Sequence, residues 1–552
     1  MKKISNIIHK INKQNIKKGI HYIQNNGFGG LQAAIQSHVQ GAMHYQEWFL
    51  EHRVGHEEVE SQRCIRFAYQ PKISLLVPAY HTPPQMLTEL LESVIRQTYE
   101  NWELCIAVGS MGDTQMEQIL EQYQKKDQRI RAQMLSANGG ISGNTNAALA
   151  MADGEFCALL DHDDLIEPDA LFEVVKVLQD QKTDIVYTDE DKVNETLTEY
   201  SDPNFKPDFS LDLLRSQNYI THLFVVRTSI LKQIGGFRKE FDGAQDYDVI
   251  LRCAEQAEKI AHVPKILYHW RMIDGSTASD PETKMYCYEA GRNAIAEHLK
   301  REGIKATVEH ARLLGRYHVV YELEQHPLLT VVIAQTETDE QEKIRQTVLE
   351  HGGYQNCEFL YVNESDCVSA YNKAAKQAKG DYFLFINGKI EPRTEDSVKE
   401  MLALCMQENV GAVGTKIIDK KKRIRDAGII LGCQGDGGHA FRGLDVRAHS
   451  YMNRAEQIGN YSAVSADVLM VSRKNFEKAG GFANNDLESA QVHFCSQLVR
   501  LGQRIVFHGF SEWLDYEAEK RTISINGNLS EEKEDPFYNK NLTLTGKPFT
   551  LD

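Results

Sequence analysis

Three aspartates, Asp161, Asp163 and Asp164, end an apolar run in the segment ALLDHDDLIEPDAL (158–171). Carboxylates crowded beside a buried strand are costly, because desolvation and mutual repulsion both disfavour their charged forms. A bound cation removes that cost. A helix starting near Pro168 uses one such acid as a cap, which leaves the others without a structural reason. A second acidic pair, Asp246 and Asp248, lies in QDYDVILRC (245–253). These residues either complement the dipole of a helix that begins there or act as a base.

The elements that must position these acids alternate. ISLLVPAY (73–80) is a short apolar run ending at Pro78, Ala79 and Tyr80, followed by a helical stretch to Gln97 and a second strand, WELCIAV (102–108). After another helix, NGGISGNTNAALAMADGEF supplies a loop and a helix before the strand FCALL that delivers the aspartates. This order predicts an α/β fold with a mostly parallel, doubly wound sheet whose ligands sit beyond the carboxyl ends of the strands. Asn144 and Asn146, at the loop–helix junction, either cap the helix or line the ligand site. Asp189, Glu190 and Asp191 in YTDEDK (187–192) form either an exposed acidic turn or a ligand-facing set.

With 552 residues the chain exceeds one ordinary core. Its apolar content of 42% and charged content of 25% describe a globular protein with no run long enough to span a bilayer, so a cytoplasmic location is expected. The ten cysteines are scattered without a CxxC pair, as buried thiols rather than zinc ligands or disulfides. A net charge of −16 argues against a nucleic-acid binder. No acid precedes Glu47, however, and Lys2, Lys3, Lys10, Lys13, Lys17 and Lys18 alternate with isoleucines at helical spacing. Residues 1–68 are therefore expected to be a helical segment that lies on the inner face of a membrane or packs on protein.

The remainder reads as two copies of one plan, 69–320 and 325–552. PKISLLVPAY (71–80) resembles PLLTVVIAQT (327–336), and LFVVRTSILKQIGGF (223–237) resembles VLMVSRKNFEKAGGF (468–482). Their decisive residues differ. Seven and nine places after Gly154 stand Asp161 and Asp163, whereas the same count from Gly380 gives Asn387 and Lys389. Chemistry is therefore expected in the first copy. In the second, Asp436 and His439 of GCQGDGGHAF belong to a flexible loop or line a pocket.

VPAY, GNTNAAL, LLDHDD, YTDEDK, GGF, GAQDYD and LYHWR, in this order, resemble the family 2 glycosyltransferases of GT-A fold, particularly the two-module bacterial enzymes of surface-polysaccharide assembly. The resemblance implies an inverting sugar transfer from a UDP- or dTDP-activated donor to a hydroxyl of a lipid-linked glycan, with Mn2+ or Mg2+ as cofactor. Asp161 and Asp163 would form the DxD that meets the metal, with Asp161 reaching either the metal, its water or the ribose. His269 would be a metal ligand or hydrogen-bond donor, and Arg271 a phosphate contact. Pro78, Ala79, Tyr80, Asn144 and Asn146 would line the donor site, and Asp189, Glu190 and Asp191 the acceptor site. Asp246 would be the catalytic base, with Asp248 as its alternative. The sequence departs from the pattern at Val108, where an acid that meets the nucleobase is usual. The second module would be a degenerate copy that holds the acceptor or forms a homo-oligomeric interface. The rival reading is a non-catalytic nucleotide- or glycan-binding scaffold.

Overall fold

The computed structural model describes residues 44–273, 285–334, 337–362, 366–433, 438–483, 486–518 and 534–551. The basic N-terminal segment and Asp436 lie outside them. Strands β1 (Ile73–Ala79), β2 (Trp102–Val108), β3 (Ile130–Met134) and β4 (Phe156–Leu159) alternate with helices and pair in parallel. β1 and β2 are buried along their whole length, which is why they read as continuous apolar runs. Adding β5 (Leu165–Ile166), β6 (Thr183–Asn194), β7 (Tyr200–Asn204), β8 (Phe224–Arg227) and β9 (Lys259–Met272) gives the order β3-β2-β1-β4-β8-β6-β9-β5, with β7 beside β6. Only β5, β7 and β8 run against the rest, so the sheet is mostly parallel.

The helix Met285–Arg301 and a hairpin of β10 (Ala306–His310) and β11 (Tyr317–Tyr321) lead to a second sheet. It comprises β12 (Leu329–Ala334), β13 (Cys357–Val362), β14 (Tyr382–Asn387), β15 (Ile390–Pro392), β16 (Val410–Asp419), β17 (Ile424–Asp426), β18 (Ile458–Asn460), β19 (Val468–Ser472) and β20 (Arg504–Asp515). Its order, β13-β12-β14-β19-β16-β20-β15 with β17 beside β16, repeats that of the first sheet without a counterpart of β3 among the described residues.

Local fastenings are duplicated with the topology. Glu103 accepts from Ser74 Oγ and the backbone N–H of Gly154, and Glu358 accepts from Thr330 Oγ1 and the N–H of Gly380. In the GGF turns, the Asn146 amide grips both backbone groups of Phe237, and Asn372 does the same to Phe482. Each turn needs its glycine. Gly236 and Gly481 have φ of 68° and 71°, and a Cβ on them would lie 2.5 and 2.6 Å from the asparagine oxygen.

The two modules share buried polar contacts. Asn460 Nδ2 donates to Asp212 Oδ2 (2.7 Å), which also pairs with Arg504 (3.0 Å). Beyond the second sheet, the tail 534–551 returns to the first module, where Asn539 Nδ2 donates to Asp189 (2.8 Å). A helix through 44–52 buries Tyr45 and Phe49 in the same cluster as Phe205 and the second module's core. Among the described residues no helix is long and apolar enough to cross a membrane.

Candidate functional site

Chain order reverses direction at β1, whose neighbours are β2 and β4. A crevice opens beyond the carboxyl ends of strands at such a switch point. Pro78 and Ala79 are buried in β1, and only Tyr80, 47% exposed, projects beyond it, tilted against His81 with ring centres 4.3 Å apart. Asp161 to Asp164 follow β4 at the same end. Val108, closing β2, is fully buried in the apolar cluster with Val77, Met116 and Leu120. It faces the core rather than a nucleobase.

The three aspartates occupy different environments. Asp161 is the most open, its side chain 42% exposed, and its Oδ2 lies 3.7 Å from His222 Nε2. Asp163 is half-buried, and desolvation with the charge of Asp161 holds its carboxyl above the usual aspartate range despite His162. Asp164 is buried, and desolvation together with Asp163 and Asp161 pushes it well above that range. It accepts from Tyr268 Oη (2.5 Å) and Arg271 N (2.8 Å). Ligand atoms of Asp161, Asp164 and His222 all lie within 4.8 Å of one another. His222 stacks flat on Tyr268, ring centres 4.5 Å apart, and its Nδ1 is buried without a partner. Two carboxylates and an imidazole converging on one point are a donor set suited to Mn2+ or Mg2+.

Opposite them, Asp246 opens the helix Gln245–Ala254. Asn218 Nδ2 donates to its Oδ2 at 2.7 Å. Desolvation raises its pKa above the ordinary aspartate value, with His222 opposing and Asp161 reinforcing the shift. Asp248, by contrast, is fully buried between Arg238 (2.5 Å) and Arg252 (2.5 Å). Of the two acids, Asp246 alone is free to meet a substrate.

Several expected site residues have other work. His269 Nδ1 lies 2.5 Å from Asp191 Oδ1 and Nε2 3.1 Å from Glu167 Oε1, so neither nitrogen offers a lone pair to a metal. Burial alone would lower its pKa, but Asp191 and Glu167 together raise it to about 10. It is an imidazolium between two carboxylates, and the histidine that lies beside Asp161 is His222. Arg271 is buried, donating to Asp163 O (2.7 Å) and Glu89 (2.5 Å), and so braces the aspartate loop, while its Nη2 has no hydrogen-bond partner.

The acids of YTDEDK, expected at the acceptor face, have partners within the protein. Asp189 is fully buried against Lys206 N (2.9 Å), His262 Nε2 (2.8 Å) and Asn539. Asp191 is buried against His269 and the Tyr45 hydroxyl (2.5 Å). Glu190 points towards the site side, accepting from Thr221 Oγ1 (2.7 Å) and His222 N (3.0 Å), and thereby positions His222. Asn144 braces the loop before its helix through Gly139 N (3.1 Å) and Asn138 (3.1 Å), while Asn146 belongs to the GGF fastening. Sequence reasoning missed His222 and Asn218. The one available signal for His222 was its place directly before LFVVRTS, where the second module has Asp467.

At the matching crevice of the second module, Asn387 Nδ2 donates to Asp467 Oδ1 (2.5 Å). Arg425 joins Asp467 to Asp515 (2.5 Å) and is itself buried. An internal guanidinium supplies the positive charge there. Lys389, at the position matching Asp163, pairs with Glu340 (3.3 Å).

Residues 74–235 match the family described as Glycosyl transferase family 2. Over 547 residues the chain is 35% identical to the uncharacterized protein y4gI of Sinorhizobium fredii, covering 89% of this chain and 60% of that one. Over 557 residues it is 28% identical to the O-antigen biosynthesis protein RfbC of Myxococcus xanthus, covering 91% of this chain and 42% of that one. The chain thus spans less than two thirds of the length of these relatives. A solved structure of S. aureus TarS 1-349 in complex with UDP-GlcNAc is similar at 24% identity and a TM-score of 0.35, covering 41% of this chain and 66% of that one.

Proposed function

We propose that the chain is a family 2 glycosyltransferase, a reading supported by the match of residues 74–235 and by its relatives, and that its first module transfers a sugar from a UDP- or dTDP-sugar to a hydroxyl of a lipid-linked surface glycan, inverting the anomeric centre. The observation that carries this reading is Asp246. It is a half-buried acid with a raised pKa, oriented by Asn218 and electrostatically coupled to Asp161 and His222. A carboxylate made more basic by desolvation accepts the acceptor's hydroxyl proton as the oxygen attacks the anomeric carbon. Attack from the face opposite the leaving nucleotide inverts configuration.

Asp161, Asp163, Asp164 and His222 would hold the divalent cation. Desolvation and the neighbouring carboxylates hold Asp163 and Asp164 above their ordinary pKa range, a cost that a bound cation would relieve. When bound, the cation supplies charge stabilisation to the leaving diphosphate. Tyr80, exposed beyond β1, provides a face on which a base can stack. Glu190 fixes the backbone of His222, and Arg271 that of Asp163, so the donor set is held by buried supports. The RfbC relative's named role in O-antigen biosynthesis supports a surface polysaccharide as the product.

Thermal unfolding with UDP and dTDP, each with and without Mn2+, tests the donor half. A nucleotide at 100 times its Kd contributes about 2.7 kcal/mol. A metal-dependent rise in Tm that disappears in Asp163→Ala supports the transferase. No rise with either nucleotide favours a scaffold that binds neither.

A further inference from the structure

The mechanism above leaves Arg316 unused. It ends the turn between β10 and β11, half-buried, with Nη1 donating to Gly315 O (3.0 Å) and a buried Nε that has no acceptor. Among the described residues no carboxylate forms an ion pair with it. On the adjoining helix, Glu289 is engaged by Arg292 (3.0 Å) and His310 (2.8 Å), and Glu297 by Arg238 (2.8 Å). The groups around the guanidinium are the phenols of Tyr247, Tyr317 and Tyr288, and desolvation lowers its pKa from the ordinary arginine value. A desolvated guanidinium without an anion is an expensive arrangement unless a ligand completes it.

The position ties Arg316 to the base. The next residue, Tyr317, donates its N–H to Ser216 O (2.8 Å), two residues before the Asn218 that holds Asp246. The ring of Tyr317 lies 6.2 Å from that of Tyr247, the neighbour of Asp246. The donor's phosphates belong with the acids after β4, so a cation on the Asp246 side serves the other substrate. The planar fork of arginine suits phosphate oxygens. We propose that Arg316 binds a phosphate group of the acceptor and so sets the acceptor hydroxyl against Asp246. This rests on the transfer reading above.

Isothermal titration of inorganic pyrophosphate into the full chain in EDTA tests it, because removing divalent metal silences the donor side. Wild type and Asp163→Asn should bind alike, Arg316→Gln at least tenfold more weakly, and Arg316→Lys in between. Equal binding by wild type and a folded Arg316→Gln, or no binding to wild type without metal, overturns the proposal. If Arg316→Gln does not fold, the Arg316→Lys titration decides, and wild-type affinity there overturns it. Farnesyl diphosphate separates the sources. Arg316-dependent binding tighter than that of pyrophosphate identifies a lipid-linked diphosphate, and equal affinity a phosphate carried on the glycan. Should the pyrophosphate titration go against Arg316, a Tm rise of wild type with UDP and Mn2+ shows that the transferase reading still stands and that this inference alone has failed.

Discussion

Replacing His269 with glutamine separates a structural imidazolium from a metal ligand. Its pKa moves from 6.5 to about 10 between Asp191 and Glu167. That shift is a preference of roughly 5 kcal/mol for the charged ring. It is an upper bound on net stabilisation, because desolvation raises the Asp191 carboxyl although Glu167 is lowered. Breaking a buried ion pair by removing one partner costs about 3–5 kcal/mol. We expect His269→Gln to lower the urea midpoint by a corresponding amount with an unchanged slope, equally in Mn2+ and in EDTA. Because the folded pKa is raised, the stabilisation is complete below 6.5 and is lost as pH climbs through about 10. The gap between wild type and variant should therefore narrow over that window. A variant as stable as wild type that has lost Mn2+-dependent UDP binding would refute the reasoning and restore His269 as a ligand.

Val108→Asp, which would restore an acid usual in the family, should destabilise the chain by about 2 kcal/mol or more without tightening UDP binding, since the site is sealed in the core; urea unfolding and nucleotide titration check both halves. Asn218→Ala removes a donor that lowers the pKa of Asp246, so the acid limb of the kcat/KM profile should move to higher pH, by about one unit for a typical hydrogen bond. An unmoved limb would detach Asn218 from the base. Deleting residues 325–552 strips Asp212 of Asn460 and Arg504, and Asp189 of Asn539, so the remainder should be insoluble or unfolded by circular dichroism. A soluble, fully active first module would contradict that requirement.

The strands, their order of appearance and the duplication were legible in the sequence, because buried parallel strands are uninterrupted apolar runs and because GGF recurs with the asparagine that grips it. The placement of Asp161 and Asp163 at the end of a strand was legible because the apolar run stops there. The choice between Asp246 and Asp248 was not, since both sit in one helical turn and only the fold brings Arg238 and Arg252 to Asp248. Asp191 and Asp189 read as either an exposed turn or an acceptor face because their partners, Tyr45 and Asn539, lie 146 and 350 positions away. His269 misled for the same reason. A histidine's role depends on what both nitrogens meet, and its two carboxylates come from other segments. Val108 could be seen to lack a polar group, but not to point into the core.

The central claim is that Asp246 is the base of a metal-assisted sugar transfer. Its most direct test is the rate of nucleoside diphosphate release from UDP- and dTDP-sugars in the presence of glycan acceptor, for wild type and Asp246→Asn, beside the Tm rise each shows with the nucleotide and Mn2+. The account predicts a rate loss of about 100-fold or more, the usual worth of a positioned base, with the Tm rise intact. Turnover within a few-fold of wild type would contradict it.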